Sequence, residues 1–177
     1  MGKTSLATNI AFNVAKVHKT GPLPDGSVGT VSGGVVGFFS LEMSAEQLAA
    51  RILSEAAEVP SEAIRRGDMT EEEFRRFVNA AHDLSNCPLY IDDTPALPIN
   101  QLAARARKLK RTMGLDLLIV DYLQLLKAAS AKDSRVNEVS EITQGLKAVA
   151  KELDIPVIAL SQLSRQVESR EDKRPQL

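Results

Sequence analysis

Four short runs of apolar, mostly branched residues recur along the chain, and polar residues do not interrupt them at every second position. Because strict alternation is absent, the pattern predicts strands buried on both faces, as in a parallel sheet that helices cover. The predicted strands are 35–41, 89–91, 115–120 and 156–160.

The segments between these runs carry apolar residues at intervals of three and four, the spacing that lines one face of an α-helix. Two segments begin with a capping pattern, in which a hydroxyl residue is followed three positions later by a side chain that reaches back to the backbone. These pairs are Ser44 with Gln47 and Thr70 with Glu73. The predicted helices are 2–17, 44–58, 70–84, 99–113 and 136–153.

Strands and helices therefore alternate along the sequence. Units of this kind form a parallel sheet with right-handed crossovers and helices on both faces, so we expect a three-layered α/β fold. The chain has 177 residues, 44% of them hydrophobic, which suits one domain with a substantial core. We therefore treat residues 1–177 as a single domain.

Three segments lack periodic apolar content. Residues 19–34 combine Gly, Pro and Ser, which predicts a surface loop, with a functional lid as the alternative. Residues 127–135 predict a second loop directly after the third apolar strand, and the charged residues 164–177 predict a tail.

Charge and cysteine content narrow the classes of function. The 22 basic and 23 acidic residues give a net charge of -1, so the domain as a whole is no polycation, and any contact with nucleic acid has to come from local loops or from assembly. The single Cys87 excludes an intramolecular disulfide and argues for a reducing, cytoplasmic compartment. Neither a signal peptide nor an apolar run of about 20 residues is present, so we expect no membrane association.

The sequence Gly2-Lys3-Thr4 leads directly into the first predicted helix. A phosphate-binding loop ends in this way: backbone amides at the helix start and the lysine bind phosphates, and the hydroxyl binds Mg²⁺. The three residues are also compatible with an ordinary solvated helix start.

Polar side chains follow three of the predicted strands, at the edge of a parallel sheet where ligands bind. Asp121 is placed to hold the water shell of Mg²⁺, although an aspartate at a strand end also caps ordinary loops. Glu42 is placed to orient and deprotonate an attacking water, and Gln162 to sense a γ-phosphate. Each of these residues by itself has an ordinary structural explanation. Their combination with the Gly-Lys-Thr start favours a nucleotide hydrolase.

Residues 1–5, 39–44, 118–124 and 161–165 resemble the successive motifs of DnaB-type replicative DNA helicases. The resemblance implies the RecA-like fold of P-loop ATPases, with its first strand and the first half of its phosphate-binding loop missing before residue 1. Residues 19–34 resemble an insertion into a connection that is shorter in the family. We therefore expect residues 1–177 to be less stable by themselves than the complete domain and to show weak or no ATPase activity.

The resemblance also implies ATP and Mg²⁺ as cofactors and assigns roles to eight residues. The roles are phosphate binding by Lys3 with Gly2 and Ser5, Mg²⁺ coordination by Thr4 and Asp121, base catalysis by Glu42, γ-phosphate sensing by Gln162, and nucleotide contact by Arg51. For Arg51, a solvated position on the helix remains the alternative.

The partners implied are single-stranded DNA held by ring loops, further copies in a homo-hexamer, a primase and a helicase loader. Residues 164–174 resemble the approach to a DNA-binding loop, whereas the basic residues of 105–111 spread around their helix and predict a solvated surface. The alternatives are a recombinase or transport-type ATPase on the same fold, and a non-catalytic ring-assembly or binding module.

Overall fold

Parallel strands form the centre of the structure, a computed structural model that describes residues 2–128 and 135–162. The strands in chain order are β1 (Lys19–Pro22), β2 (Val28–Ser32), β3 (Val35–Ser40), β4 (Leu89–Asp92), β5 (Leu115–Asp121) and β6 (Val157–Ala159). Within the described residues the main sheet has the order β4-β3-β5-β6, and each neighbouring pair is parallel. The four strands predicted from the apolar runs are confirmed.

Helices connect the strands of this sheet. In chain order they are α1 (Lys3–Lys16), α2 (Ala45–Ala57), α3 (Ser61–Arg66), α4 (Glu71–Asn86), α5 (Ile99–Met113) and α6 (Arg135–Leu153), with a 3₁₀ turn at Leu123–Leu125. The five predicted helices are confirmed within two residues at each end. None of the helices in the described part of the chain is both long enough and apolar enough to cross a membrane.

The core has two apolar layers, one on each face of the sheet. On one face, α1 and α2 pack Ala11 and Leu48 against Phe38 of β3. On the other, α5 and α6 pack Leu102 and Ile142 against residues of β5. Successive residues of β3 and β5 thus point to opposite faces and are buried on both, which confirms the three-layered α/β prediction.

Both predicted capping boxes are present. The Ser44 hydroxyl accepts a hydrogen bond from the Gln47 amide at 3.3 Å, and the Gln47 side chain accepts one from the Ser44 amide at 3.1 Å. Thr70 and Glu73 make the equivalent exchange at 3.2 and 2.8 Å. Each pair occupies two backbone donors that a helix start otherwise leaves without partners.

Residues 19–34 form an antiparallel hairpin of β1 and β2 rather than the irregular loop predicted for them. The Asp116 carboxylate joins the hairpin to the main sheet by accepting hydrogen bonds from the Thr30 hydroxyl and the Val35 amide, both at 2.9 Å. Gly33, with φ 62°, lies so close to the Val14 carbonyl that a β-carbon would overlap it. Asp116 is at the amino end of β5, so the hairpin lies at the sheet edge opposite the predicted phosphate site, and a lid over that site is not supported.

Two further differences concern short or undescribed segments. The six-residue α3 is absent from the prediction, because fewer than two turns are too short to show a periodic pattern. Of the predicted loop 127–135, residues 129–134 lie outside the described residues, and Arg135 begins α6. The predicted tail 164–177, including its resemblance to a DNA-binding approach, also lies outside them.

Candidate functional site

The start of α1 follows a glycine with an unusual backbone conformation. Gly2 precedes the helix with φ 121° and ψ 7°, a conformation that side-chain-bearing residues rarely adopt. The Gly2 carbonyl accepts the Leu6 amide at 2.9 Å, and the Thr8 hydroxyl bonds the carbonyls of Thr4 and Ser5, each at 3.0 Å. Within the described residues no side chain caps the start of α1, so its first amides are available to bind a group from outside the helix.

The Lys3 side chain reaches the carboxyl edge of the main sheet. Its ammonium group donates a hydrogen bond to the Ser161 carbonyl at 2.8 Å and lies 5.5 Å from the centre of the Tyr122 ring. Tyr122 directly follows β5, and Ser161 lies two residues beyond β6. The helix start and the ends of two strands thus converge on one side chain, as the order of motifs predicts.

The ends of β3 and β5 are joined beside this point. Asp121, the last residue of β5, is 2% exposed, and its carbonyl accepts the Leu41 amide at 2.8 Å. Glu42 directly follows Leu41 in the chain, and its side chain is exposed. The peptide bond between Asp121 and Tyr122 is cis. Glu42, Asp121 and Lys3 are therefore brought to the same edge of the sheet.

Gln162 is held by the side chain of Gln124. The Gln124 amide nitrogen donates to the Gln162 carbonyl at 2.9 Å and to the Ser161 hydroxyl at 2.7 Å. The Gln162 amide in turn donates to the Gln124 side-chain oxygen at 3.2 Å. The Gln124 side chain thus pairs with both backbone groups of Gln162, as a neighbouring strand would. These bonds hold the Gln162 backbone against the turn after β5.

Arg51 takes no part in the hydrogen bonds described above. It is half-buried on α2, two turns beyond the Ser44 cap, and within the described ranges it makes no hydrogen bond with the other seven candidates. The structure therefore brings Gly2, Lys3 and Thr4 towards the strand ends but leaves both interpretations of Arg51 open.

The basic residues of α5 are at the surface, but several contact other parts of the fold. Arg105 forms an ion pair with Asp92, and Arg107 forms one with Glu152 at 2.7 Å. The Lys110 ammonium donates to the Leu115 carbonyl at 2.9 Å. These contacts make the basic stretch a set of links between α5 and its neighbours, in addition to the solvated surface predicted for it.

At the end of β4, Asp92 accepts hydrogen bonds from the Arg105 guanidinium at 2.8 and 2.6 Å. Burial, the largest single influence, raises the pKa of Asp92, but hydrogen bonds from Arg105 and Thr94, together with the Arg105 charge, hold the pKa below its ordinary value of 3.8. The ionised form is therefore the one that the fold stabilises.

This shift predicts how stability depends on pH. Because folding lowers the pKa of Asp92, its contribution is present above the unfolded-state pKa and is lost as the pH falls through the folded-state pKa. We expect the free energy of unfolding to fall as the pH drops below about 4, and Asp92→Asn to reduce that fall. Denaturant unfolding at a series of pH values measures both, with Asp68→Asn, at an exposed carboxyl after α3, as the control. An identical pH dependence in the parent and Asp92→Asn would contradict this expectation.

Several residues that shape this edge were not among the predicted site residues. Tyr122, Gln124 and Ser161 stand inside the recognised motifs, so their positions were visible although their contacts were not. Asp93 and Arg105 lie outside those motifs. Asp93 is the second of two acidic residues that follow the predicted strand 89–91, and this was the one signal that pointed to it.

A parallel sheet of this order, with a Gly-Lys-Thr helix start against the carboxyl ends of its strands, defines an α/β domain with the fold of P-loop ATPases. A solved structure described as an ATPase domain matches with a TM-score of 0.83 and 38% identity, covering 100% of this chain and 58% of that one. The RecA-like fold is thereby confirmed.

The chain belongs to the DnaB-like helicase C terminal domain family, whose sequence model matches residues 1–177. It is 52% identical over 177 residues to the replicative DNA helicase DnaB of Rickettsia prowazekii (strain Madrid E), and 44% identical over 178 residues to the replicative DNA helicase DnaC of Bacillus subtilis (strain 168). Each comparison covers 100% of this chain and 36% of the relative, so the chain spans about a third of their length.

A second solved structure, of a DnaB-like replicative helicase and its interactions with primase, matches with a TM-score of 0.74 and 40% identity. That match covers 81% of this chain and 35% of the other. The family predicted from the four motifs is therefore confirmed.

Proposed function

We propose that this chain is the ATP-hydrolysing motor domain of a replicative DNA helicase, which couples hydrolysis to movement along single-stranded DNA and to duplex unwinding. The observation that carries the proposal is the contact between the Lys3 ammonium and the Ser161 carbonyl, 2.8 Å apart, next to Gln162 and the end of β5. It supports one site at which a phosphate-binding helix start faces the strand ends that carry Glu42 and Asp121. Membership of the DnaB-like family supports the same proposal.

In this proposal, the amides of Gly2, Lys3 and Ser5 and the Lys3 ammonium bind the phosphates of ATP at the positive end of the α1 dipole. Thr4 and Asp121 would hold Mg²⁺. This ion prefers oxygen ligands and takes several of them from phosphates and water, so one hydroxyl and one carboxylate suit it as protein donors. When bound, Mg²⁺ would neutralise charge on the phosphate oxygens.

The reaction is hydrolysis of the terminal phosphoanhydride bond. Glu42 accepts a proton from the attacking water, whose oxygen bonds to the γ-phosphorus while the bond to the β-phosphate oxygen breaks, leaving ADP and inorganic phosphate. Gln162 contacts the γ-phosphate, and Gln124 holds the Gln162 backbone at the end of β6. Arg51 is proposed to contact the nucleotide from α2.

The proposed assembly is a homo-hexameric ring in the cytoplasm, with single-stranded DNA held by its loops and with a primase and a helicase loader as partners. The net charge of -1 favours DNA contact through local loops over contact with the whole surface. The match to a DnaB-like helicase solved with primase supports primase as a partner.

Glu42→Gln tests the proposal in the chain extended to the length of its relatives. Replacing the base is expected to lower DNA-stimulated ATP turnover about a hundredfold or more, with ATP binding retained, because the phosphate contacts lie on α1. Turnover is measured with and without single-stranded DNA, and nucleotide binding is measured separately.

Glu46→Gln is the matched control, because Glu46 is an exposed acid one turn further along the chain, in the first turn of α2. It is expected to keep the parent's turnover. Parent-like turnover in Glu42→Gln would contradict the proposed base. A parent that binds ATP but does not hydrolyse it would favour the non-catalytic assembly module.

A further inference from the structure

The turn that carries Glu42 is anchored on both sides. Before it, the buried Ser40 hydroxyl donates to the Met43 carbonyl at 2.6 Å and accepts the Met43 amide at 3.3 Å. After it, Ser44 begins α2 with its capping box to Gln47. The position of the Glu42 backbone therefore depends on where α2 begins relative to the end of β3.

A carboxylate directly after β4 contacts the first residue of α2. The Asp93 side chain accepts a hydrogen bond from the Ala45 amide at 2.9 Å. Ala45 is the first residue of α2, and its amide is one of the donors that the helix itself leaves unpaired. The capping box satisfies the amides of Ser44 and Gln47 but not this one. A negative charge also lies favourably at the amino end of a helix.

Asp93 is itself held in place from the opposite face of the sheet. It directly follows β4, and its neighbour Asp92 is bound by the Arg105 guanidinium at 2.8 and 2.6 Å. The same guanidinium donates to the Thr94 hydroxyl at 2.6 Å, and the Thr94 amide donates to Asp92 at 3.1 Å. The residues on both sides of Asp93 are thus bound to Arg105 of α5. These contacts hold the Asp93 backbone next to the start of α2.

We propose that Asp93 is a positioning residue for Glu42: by accepting the Ala45 amide, it ties the start of α2 to the end of β4 and so sets the place of the Glu42 carboxylate at the strand ends. The inference rests on the proposed function, in which Glu42 is the catalytic base. Asp93 acts through the backbone of Ala45 and needs no contact with ATP.

The expected effect is on the rate of the chemical step. Without the carboxylate, the Ala45 amide bonds to water and the start of α2 is less constrained, so the Glu42 carboxylate can be displaced. Displacement of a reacting group by about 1 Å costs on the order of a hundredfold in rate. Because the anchors that remain, Ser40 and the capping box, limit the displacement, we expect Asp93→Ala to lower kcat about tenfold. The KM for ATP is expected to change little, since the phosphate-binding residues are on α1 and Arg51 lies nearly two turns beyond the start of α2.

A conservative substitution separates hydrogen bonding from charge. Asp93→Asn keeps a side-chain oxygen that can accept the Ala45 amide, but it removes the negative charge. Because the hydrogen bond is kept, we expect its kcat to be within about twofold of the parent. Asp68→Ala, at an exposed aspartate away from the sheet edge, is the control for removing an acidic side chain and is expected to match the parent.

The decisive measurement is a double-variant cycle in the chain extended to the length of its relatives, with single-turnover ATP hydrolysis and thermal unfolding followed for each variant. If Asp93 acts through Glu42, Asp93→Ala lowers the rate in the parent but has no further effect on the residual rate of Glu42→Gln. An equal loss in both backgrounds would assign Asp93 a merely structural role and overturn the inference. So would an Asp93→Ala rate equal to the parent's.

The two proposals fail in different ways. A parent-like rate in Glu42→Gln removes the proposed base and with it the premise of the inference, whereas loss in Glu42→Gln without loss in Asp93→Ala overturns only the positioning role. If Asp93→Ala does not fold, Asp93→Glu, which displaces the carboxylate by one methylene, enters the same cycle under the same criteria.

Discussion

Replacing Lys3 with alanine is expected to reduce ATP turnover by two to three orders of magnitude and to weaken nucleotide binding. Lys3 is the first residue of α1, and its ammonium lies at the ends of β5 and β6, where the proposal places the phosphates of ATP. Removing one fixed donor to charge that develops in a transition state costs on the order of 10²–10³ in kcat. Because the Lys3 side chain is exposed, thermal unfolding should change little.

ATP hydrolysis and binding of a fluorescent ATP analogue, measured on the chain extended to the length of its relatives, test this expectation. Lys16→Ala is the matched control, because Lys16 ends the same helix and forms an exposed ion pair with Asp83 at 2.8 Å. It should leave turnover unchanged. Parent-like turnover in Lys3→Ala would mean that phosphate binding occurs elsewhere.

Leu118→Ala is expected to give a large loss of stability, about 2–5 kcal/mol in the free energy of unfolding. Leu118 is 0% exposed and lies in β5, which pairs with β3 on one side and β6 on the other. It belongs to the apolar layer beneath α5 and α6. The substitution removes buried apolar surface and leaves a cavity that paired strands cannot close by moving together.

Denaturant unfolding of residues 1–177 measures this loss directly. Leu6→Ala makes the same chemical change at a side chain that is 63% exposed, and it should shift the free energy of unfolding by no more than about 0.5 kcal/mol. Equal transition midpoints for Leu118→Ala and Leu6→Ala would contradict the described packing.

The sequence predicted elements wherever burial produced a pattern. The apolar runs of β3 and β5 stood out because both faces of these strands are covered, and the capping pairs Ser44–Gln47 and Thr70–Glu73 stood out because each is local in the chain. The β1–β2 hairpin escaped prediction for the opposite reason. Its strands have four and five residues, and most of their side chains are exposed, so neither alternation nor an apolar run marks them.

The candidate site was also predictable only in part: its place in the fold was predicted, but its contacts were not. The order of Lys3, Glu42, Asp121 and Gln162 along the chain predicted one sheet edge, because the carboxyl ends of parallel strands meet there. The contact partners could not be predicted. Gln124 and Gln162 are 38 positions apart, and Arg105 stood in a basic run that gave no sign of its pairing with Asp92.

What the sequence by itself determined was the class of fold, the family and the edge at which chemistry-bearing residues gather, because these follow from local periodicity and from short ordered motifs. The tertiary structure decided which side chains hold those residues in place: Gln124 against Gln162, Asp93 at the start of α2, and Asp116 on the hairpin. Each of these contacts joins segments distant in the chain. Their geometry exists only after the sheet has formed and its register has brought the strand ends together.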